Sequence, residues 1–62
     1  MNFQLTLNNE KLTSLKGQLN YTNEMLNSNI QEWEKKEYNL TKEVIENNII
    51  ETKELIERIK SL

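Results

Sequence analysis

The sequence contains no cysteine, histidine, aspartate or proline, and Gly17 is its single glycine. Without cysteine or histidine, the chain has no disulfide bridge and lacks the thiolate and imidazole ligands of a zinc site. Nucleophilic catalysis ordinarily pairs a serine, cysteine or threonine with a histidine base, so this absence argues against that class of enzyme. A single glycine does not build a phosphate-binding loop. We therefore expect no catalytic residue, no cofactor and no bound metal ion.

Neither sign of charge dominates. Asp and Glu number 10 against 8 Lys and Arg, giving a net charge of -2. Nucleic-acid binding requires a clear basic surface, so we expect no nucleic-acid partner. The chain lacks a run of about 18 apolar residues, so no membrane span is predicted. Its first residues also lack the basic and long apolar regions of a secretory signal. We expect an intracellular (cytoplasmic) location, or a place within a viral particle.

The chain has 62 residues, which limits the core it can build. A single hydrophobic core in a protein this small rarely contributes more than about 3–5 kcal/mol. Small proteins usually add disulfides, a metal ion or oligomerisation to that contribution. Because the composition argues against the first two, we expect the chain to depend on a homo-oligomer or on partner helices in a larger complex.

The N-terminal residues show a period of two. Phe3, Leu5 and Leu7 alternate with polar residues, which predicts a short extended segment over residues 1–8. One of the two asparagines that follow Leu7 would then cap the next helix. The alternative is a frayed helix end whose apolar side chains cover the end of a bundle.

Residues 9–62 form the second predicted unit, a helical coiled-coil or bundle module. At about 100° per residue, a single row of apolar side chains keeps one direction along this unit. We call this row the leucine stripe; it contains Leu12, Leu15, Leu19, Leu26, Ile30, Trp33, Leu40, Val44, Leu55, Ile59 and Leu62. A stripe that keeps its phase favours an all-α protein with one long amphipathic helix over about residues 9–61.

A second apolar sector lies beside the stripe in the C-terminal half. Ile45, Ile49 and Ile56 sit roughly 80–120° around the helix from the stripe. One partner helix does not cover a face that broad, so the pattern favours packing against two neighbours. We therefore predict that the leucine stripe and these three isoleucines form the interface with other helices.

A hairpin is the alternative to the long helix. Ser28 and Gln31 have the spacing of a capping box, which would start a second helix after a turn near residues 27–29. The long helix is favoured because the stripe keeps its phase from Leu26 to Trp33, which a hairpin does not require.

These features predict a structural or assembly protein that acts by helix–helix oligomerisation, or a small accessory subunit of a larger complex. The alternative is a small regulatory binding protein, such as an inhibitor, antitoxin or adaptor, that orders on its target. Asparagine, threonine and Gly17 make the first half of the chain a weak helix former, which favours this alternative.

Overall fold

The computed structural model describes residues 2–62 of the chain. Helix α1 spans Phe3–Leu26 and helix α2 spans Glu32–Lys60, and the two pack along their length as a hairpin. The molecule measures 47 × 15 × 11 Å. The all-α class is confirmed, and so is the alternative of a two-helix hairpin. The favoured single long helix is wrong, because the backbone turns between the two helices.

Helix α1 begins at Phe3, so the extended segment predicted over residues 1–8 is wrong for the residues that the structure describes; Met1 lies outside them. Asn2 is the N-cap, and its Oδ1 accepts a hydrogen bond from the backbone N–H of Leu5 at 3.2 Å. A strand of this length has no second strand to pair with, whereas a helix satisfies its own backbone. Leu5 also lies seven residues before Leu12, which extends the apolar face of α1.

The turn between the helices is built without glycine or proline. The backbone N–H of Ser28 donates to the carbonyl of Met25 at 3.1 Å, and its Oγ donates to the same oxygen at 2.6 Å. No non-glycine residue in the described part of the chain has a positive φ. Asn27 and Ser28 reverse the chain using ordinary backbone conformations, so the lack of glycine does not prevent a turn here.

Helix α2 has its own capping box, which lies three residues later than the sequence predicts. The N-cap is Gln31, whose backbone N–H donates to Oε1 of Glu34 at 3.3 Å. The predicted box with Ser28 as N-cap is therefore wrong, because the Ser28 hydroxyl bonds back to α1. Glutamates in the first turn and the basic side chains Arg58 and Lys60 in the last turn suit the helix dipole.

Two interleaved rows of side chains hold the helices together. On α1 they recur every three or four residues from Leu5 to Leu26, and on α2 from Tyr38 to Ile59. The buried apolar residues are Leu15, Ile45, Ile49, Ile56 and Ile59. Leu15 packs with Ile45 and Ile49, and the half-buried Leu12 and Leu19 pack against them. We call this contact zone the hairpin interface; the spacing is that of a short antiparallel coiled coil.

The hairpin interface contains two buried threonines where a strong coiled coil would have aliphatic residues. Thr22 and Thr52 are each 3% exposed. Their hydroxyls donate to the carbonyls four residues earlier, to Gln18 at 2.8 Å and to Asn48 at 2.7 Å. The hydroxyls are therefore satisfied, but they contribute less than methyl groups would to the apolar contact between the helices.

We predict that Thr52→Val stabilises the protein by about 1 kcal/mol, because a methyl group replaces a hydroxyl at a buried position of the same shape. Thermal unfolding at one fixed protein concentration measures the change. Thr13→Val is the matched control, since Thr13 makes the same bond, to the carbonyl of Asn9 at 3.1 Å, on an exposed surface. An unfolding temperature that rises equally in both variants would contradict the prediction.

Candidate interaction surface

Within residues 2–62 no three acidic side chains are grouped so as to hold a metal ion. In the same part of the chain neither helix is long and apolar enough to cross a bilayer. What the hairpin does present is apolar surface on its outside, so the candidate site is an interaction surface.

Helix α2 carries a row of exposed apolar side chains away from the hairpin interface. Trp33 is 65% exposed, Leu40 59%, Val44 60% and Leu55 41%. At about 100° per residue these four lie on one side of α2, roughly 120° around from the buried isoleucines. We call these four residues the outer row. Leu62 follows the end of α2 and is also exposed.

Trp33 leads the outer row and has its polar atom satisfied locally. Its Nε1–H donates to Oε1 of Gln31 at 2.8 Å. The ring borders a shallow hollow that includes Lys36 and Asn39, beside the Glu32–Lys35 ion pair of 3.7 Å. Because the indole N–H already has a partner, the ring offers mainly apolar surface to anything that binds there.

A groove between the two helices adjoins the outer row. Mostly small or aromatic residues line it, together with Gln18 and Ile45: Ser14, Gly17, Gln18, Tyr21, Thr22, Tyr38, Thr41 and Ile45. Leu40 and Val44 form the wall of a second hollow that shares Gln18, Thr41 and Ile45 with the groove. A Cβ added at Gly17 would meet nothing within 4 Å. The groove and the outer row therefore form one continuous open face.

Helix α1 adds further apolar side chains to this face. Leu7 is 48% exposed and Tyr21 is 57% exposed. They lie seven residues before and after Ser14, which lines the groove, so all three share one side of α1. The exposed Phe3 lies one turn before Leu7. The open face thus draws apolar surface from both helices.

Two tyrosines meet across the groove. Partial burial of the Tyr38 ring raises the pKa of its phenol above the usual 10.0, and the nearby Tyr21 hydroxyl and Glu34 carboxylate raise it further. Each of these effects disfavours the charged phenolate. The neutral Tyr38 side chain is the form that suits the folded hairpin.

The structure separates the predicted interface residues into two groups. The hairpin interface contains the buried and half-buried ones: Leu12, Leu15, Leu19, Leu26, Ile45, Ile49, Ile56 and Ile59. Those on the outside are Trp33, Leu40, Val44, Leu55 and Leu62, while Ile30 is half-buried in the turn. The leucine stripe is thus divided at the turn: its residues before Ile30 lie in the hairpin interface, and those after Ile30, apart from Ile59, lie on the outside.

Sequence reasoning missed several residues of the hairpin interface as contact residues, among them Leu5, Thr22, Tyr38 and Thr52. The available signal was the seven-residue spacing. Leu5 continues the row of Leu12 and Leu19 backwards, and Tyr38 and Thr52 lie seven residues on either side of Ile45.

Comparisons with known proteins identify no relative of this chain. No protein-family model matches the chain, and no curated protein and no solved structure matches it.

We predict that Tyr21→Phe lowers the pKa of Tyr38 towards its ordinary value, because the neighbouring hydroxyl is removed. The raised pKa means that the stabilisation from a neutral Tyr38 is present below pH 10 and is lost as the pH rises through the higher folded-state value. Tyrosinate absorbance measures the titration of both tyrosines, and the Tyr38→Phe variant shows which part of the signal comes from Tyr38. A Tyr38 titration that is identical in the wild type and in Tyr21→Phe would contradict the prediction.

Proposed function

We propose that this chain is a structural or assembly protein that works by helix–helix association, through oligomerisation or as a small accessory subunit of a larger complex. The observation that supports this is the outer row. Trp33, Leu40 and Val44 are each more than half exposed and share one face of the folded α2. Exposed apolar side chains grouped on one face of a helix mark an interaction site.

The energetics favour an associated state. The hairpin buries only five apolar side chains, and within residues 2–62 none of them is less than 2% exposed. Full burial of a large aliphatic or aromatic side chain contributes about 1.5–3 kcal/mol. Covering the four residues of the outer row would therefore add a gain comparable to that of the hairpin's own core. A partner helix on this face stabilises the fold as well as the complex.

We predict that Leu40→Asp abolishes association, because it places a charge in the middle of the apolar row. Sedimentation equilibrium gives the molar mass, and circular dichroism at two protein concentrations gives the helicity. The wild type is expected to show a molar mass above that of one chain and a helicity that rises with concentration. Leu40→Asp is expected to remain a single chain at both concentrations.

Ile50→Asp is the matched control. Ile50 is 54% exposed on α2 but lies outside both the outer row and the hairpin interface. This variant carries the same new charge and is expected to associate as the wild type does. The proposed function would be contradicted if Leu40→Asp associated as strongly as the wild type. It would also be contradicted if the wild type stayed a cooperatively folded single chain at every concentration, with or without a partner.

A regulatory binding protein, such as an inhibitor, antitoxin or adaptor, is the second candidate. The observation that favours it is the weak packing of α1. This helix contributes only Leu15 and Thr22 to the buried residues, whereas α2 contributes five. Its single mid-helix Gly17 costs about 1 kcal/mol of helix stability relative to alanine. A helix held this loosely suits a chain that orders on its target.

Hydrogen exchange distinguishes the two candidates. For an assembly protein at micromolar concentration, we predict protection along both helices, because association stabilises the whole hairpin. For a regulatory protein, the amides of residues 3–26 would exchange rapidly until a target is added. Fast exchange in α1 together with slow exchange in α2, in the isolated chain, would favour the regulatory candidate over the assembly protein.

A further inference from the structure

We infer that the outer row binds a second copy of this chain, with the two α2 helices antiparallel about a two-fold axis between Asn47 and Asn48. This inference rests on the proposed assembly function and names its partner. The arguments for it are the register of apolar residues, the charges within the row, and the length of the row.

The apolar residues match in this register. Leu40 faces Leu55 of the second copy, and the symmetry repeats this pair on the other side of the axis. Trp33 lies opposite Leu62 at each end of the interface. Each of these residues is exposed in the single hairpin, so the pairing buries surface that the fold leaves in water.

The charges within the row also match. Glu37 and Arg58 are exposed and lie on the same side of α2 as the outer row. In this register Glu37 of each copy faces Arg58 of the other, which gives two ion pairs. Within residues 2–62 the structure places neither side chain in a salt bridge. Both are therefore available to a second chain.

Two other arrangements of the α2 helices bring like charges together. A parallel pair sets Glu37 against Glu37 and Arg58 against Arg58. An antiparallel pair centred on Val44 sets Glu37 against Glu51. Like charges held opposite each other across an interface are disfavoured. The charge pattern therefore favours the antiparallel register centred between the two asparagines over both of these arrangements.

The middle of the row is polar in a way that suits a two-fold axis. Asn47 of one copy faces Asn48 of the other, and each amide both donates and accepts hydrogen bonds. A polar pair within an apolar row fixes register at some cost in affinity. Val44 faces Glu51 of the second copy, whose methylene groups lie along the apolar surface while the carboxylate reaches water.

The length of the outer row suits a second α2. Trp33 lies in the first turn of α2 and Leu62 just beyond its last residue, so one further helix of the same length covers the row.

Charge reversal tests the register. Glu37→Arg sets arginine against arginine in a dimer of that variant, and Arg58→Glu sets glutamate against glutamate. Each variant alone is expected to raise the dimer dissociation constant about tenfold or more, because two attractive pairs become repulsive. Mixing the two variants restores opposite charges at both contacts. The mixture is therefore expected to dimerise nearly as tightly as the wild type, as measured by sedimentation equilibrium.

The matched controls are Glu46→Arg and Lys53→Glu, which reverse charges on the exposed side of α2 opposite the outer row. Each alone, and the two mixed, are expected to leave the dissociation constant unchanged. Association of the wild type that is insensitive to Glu37→Arg and Arg58→Glu would overturn the register while leaving the proposed assembly function intact. A wild type that associates only with a different protein would overturn the second copy as the partner but leave the assembly function intact. A wild type that does not associate at all would contradict both.

Discussion

The constraint on which the rest of this structure depends is that α2 has two apolar faces and the chain supplies one helix to cover them. The face with Ile45, Ile49 and Ile56 packs against α1. The face with Trp33 and Leu40 remains in water. A hairpin brings two helices into contact along a single line, so the second face is left without a partner by geometry alone. The open face follows directly from this arrangement.

The polarity of the hairpin interface strengthens that constraint. Thr22 and Thr52 occupy buried positions, and Lys42 and Asn8 are half-buried at neighbouring ones. Each polar side chain in the contact reduces the apolar area that α1 and α2 remove from water. A weak internal contact makes the folded hairpin sensitive to whatever covers its outside. Folding and association are thereby linked, since a partner that binds only the folded chain adds its binding free energy to the stability.

The sequence predicts the helices better than it predicts how they pack. The absence of proline correctly indicates a helical chain, and the end of α1 at Leu26 agrees with the alternative hairpin. The start of α1 was missed because Phe3, Leu5 and Leu7 alternate as in a strand, whereas in the helix Leu5 lies in the hairpin interface and Phe3 and Leu7 lie on the outside. The turn was underestimated because it needs no glycine: Ser28 bonds back to α1 with ordinary backbone angles.

The exposed surface could be anticipated only in part, because the periodicity of the apolar residues does not show which face of α2 packs against α1. Two faces of α2 were available to α1, and the charges decide between them. The inward face from Ile45 to Ile59 contains no charged residue among its buried positions. The outer row is interrupted by Glu37 and Glu51, whose burial against α1 would leave carboxylates in an apolar contact without a cation. Glu37, one of the two glutamates that exclude this face from the hairpin, makes it suitable for a partner that brings an arginine.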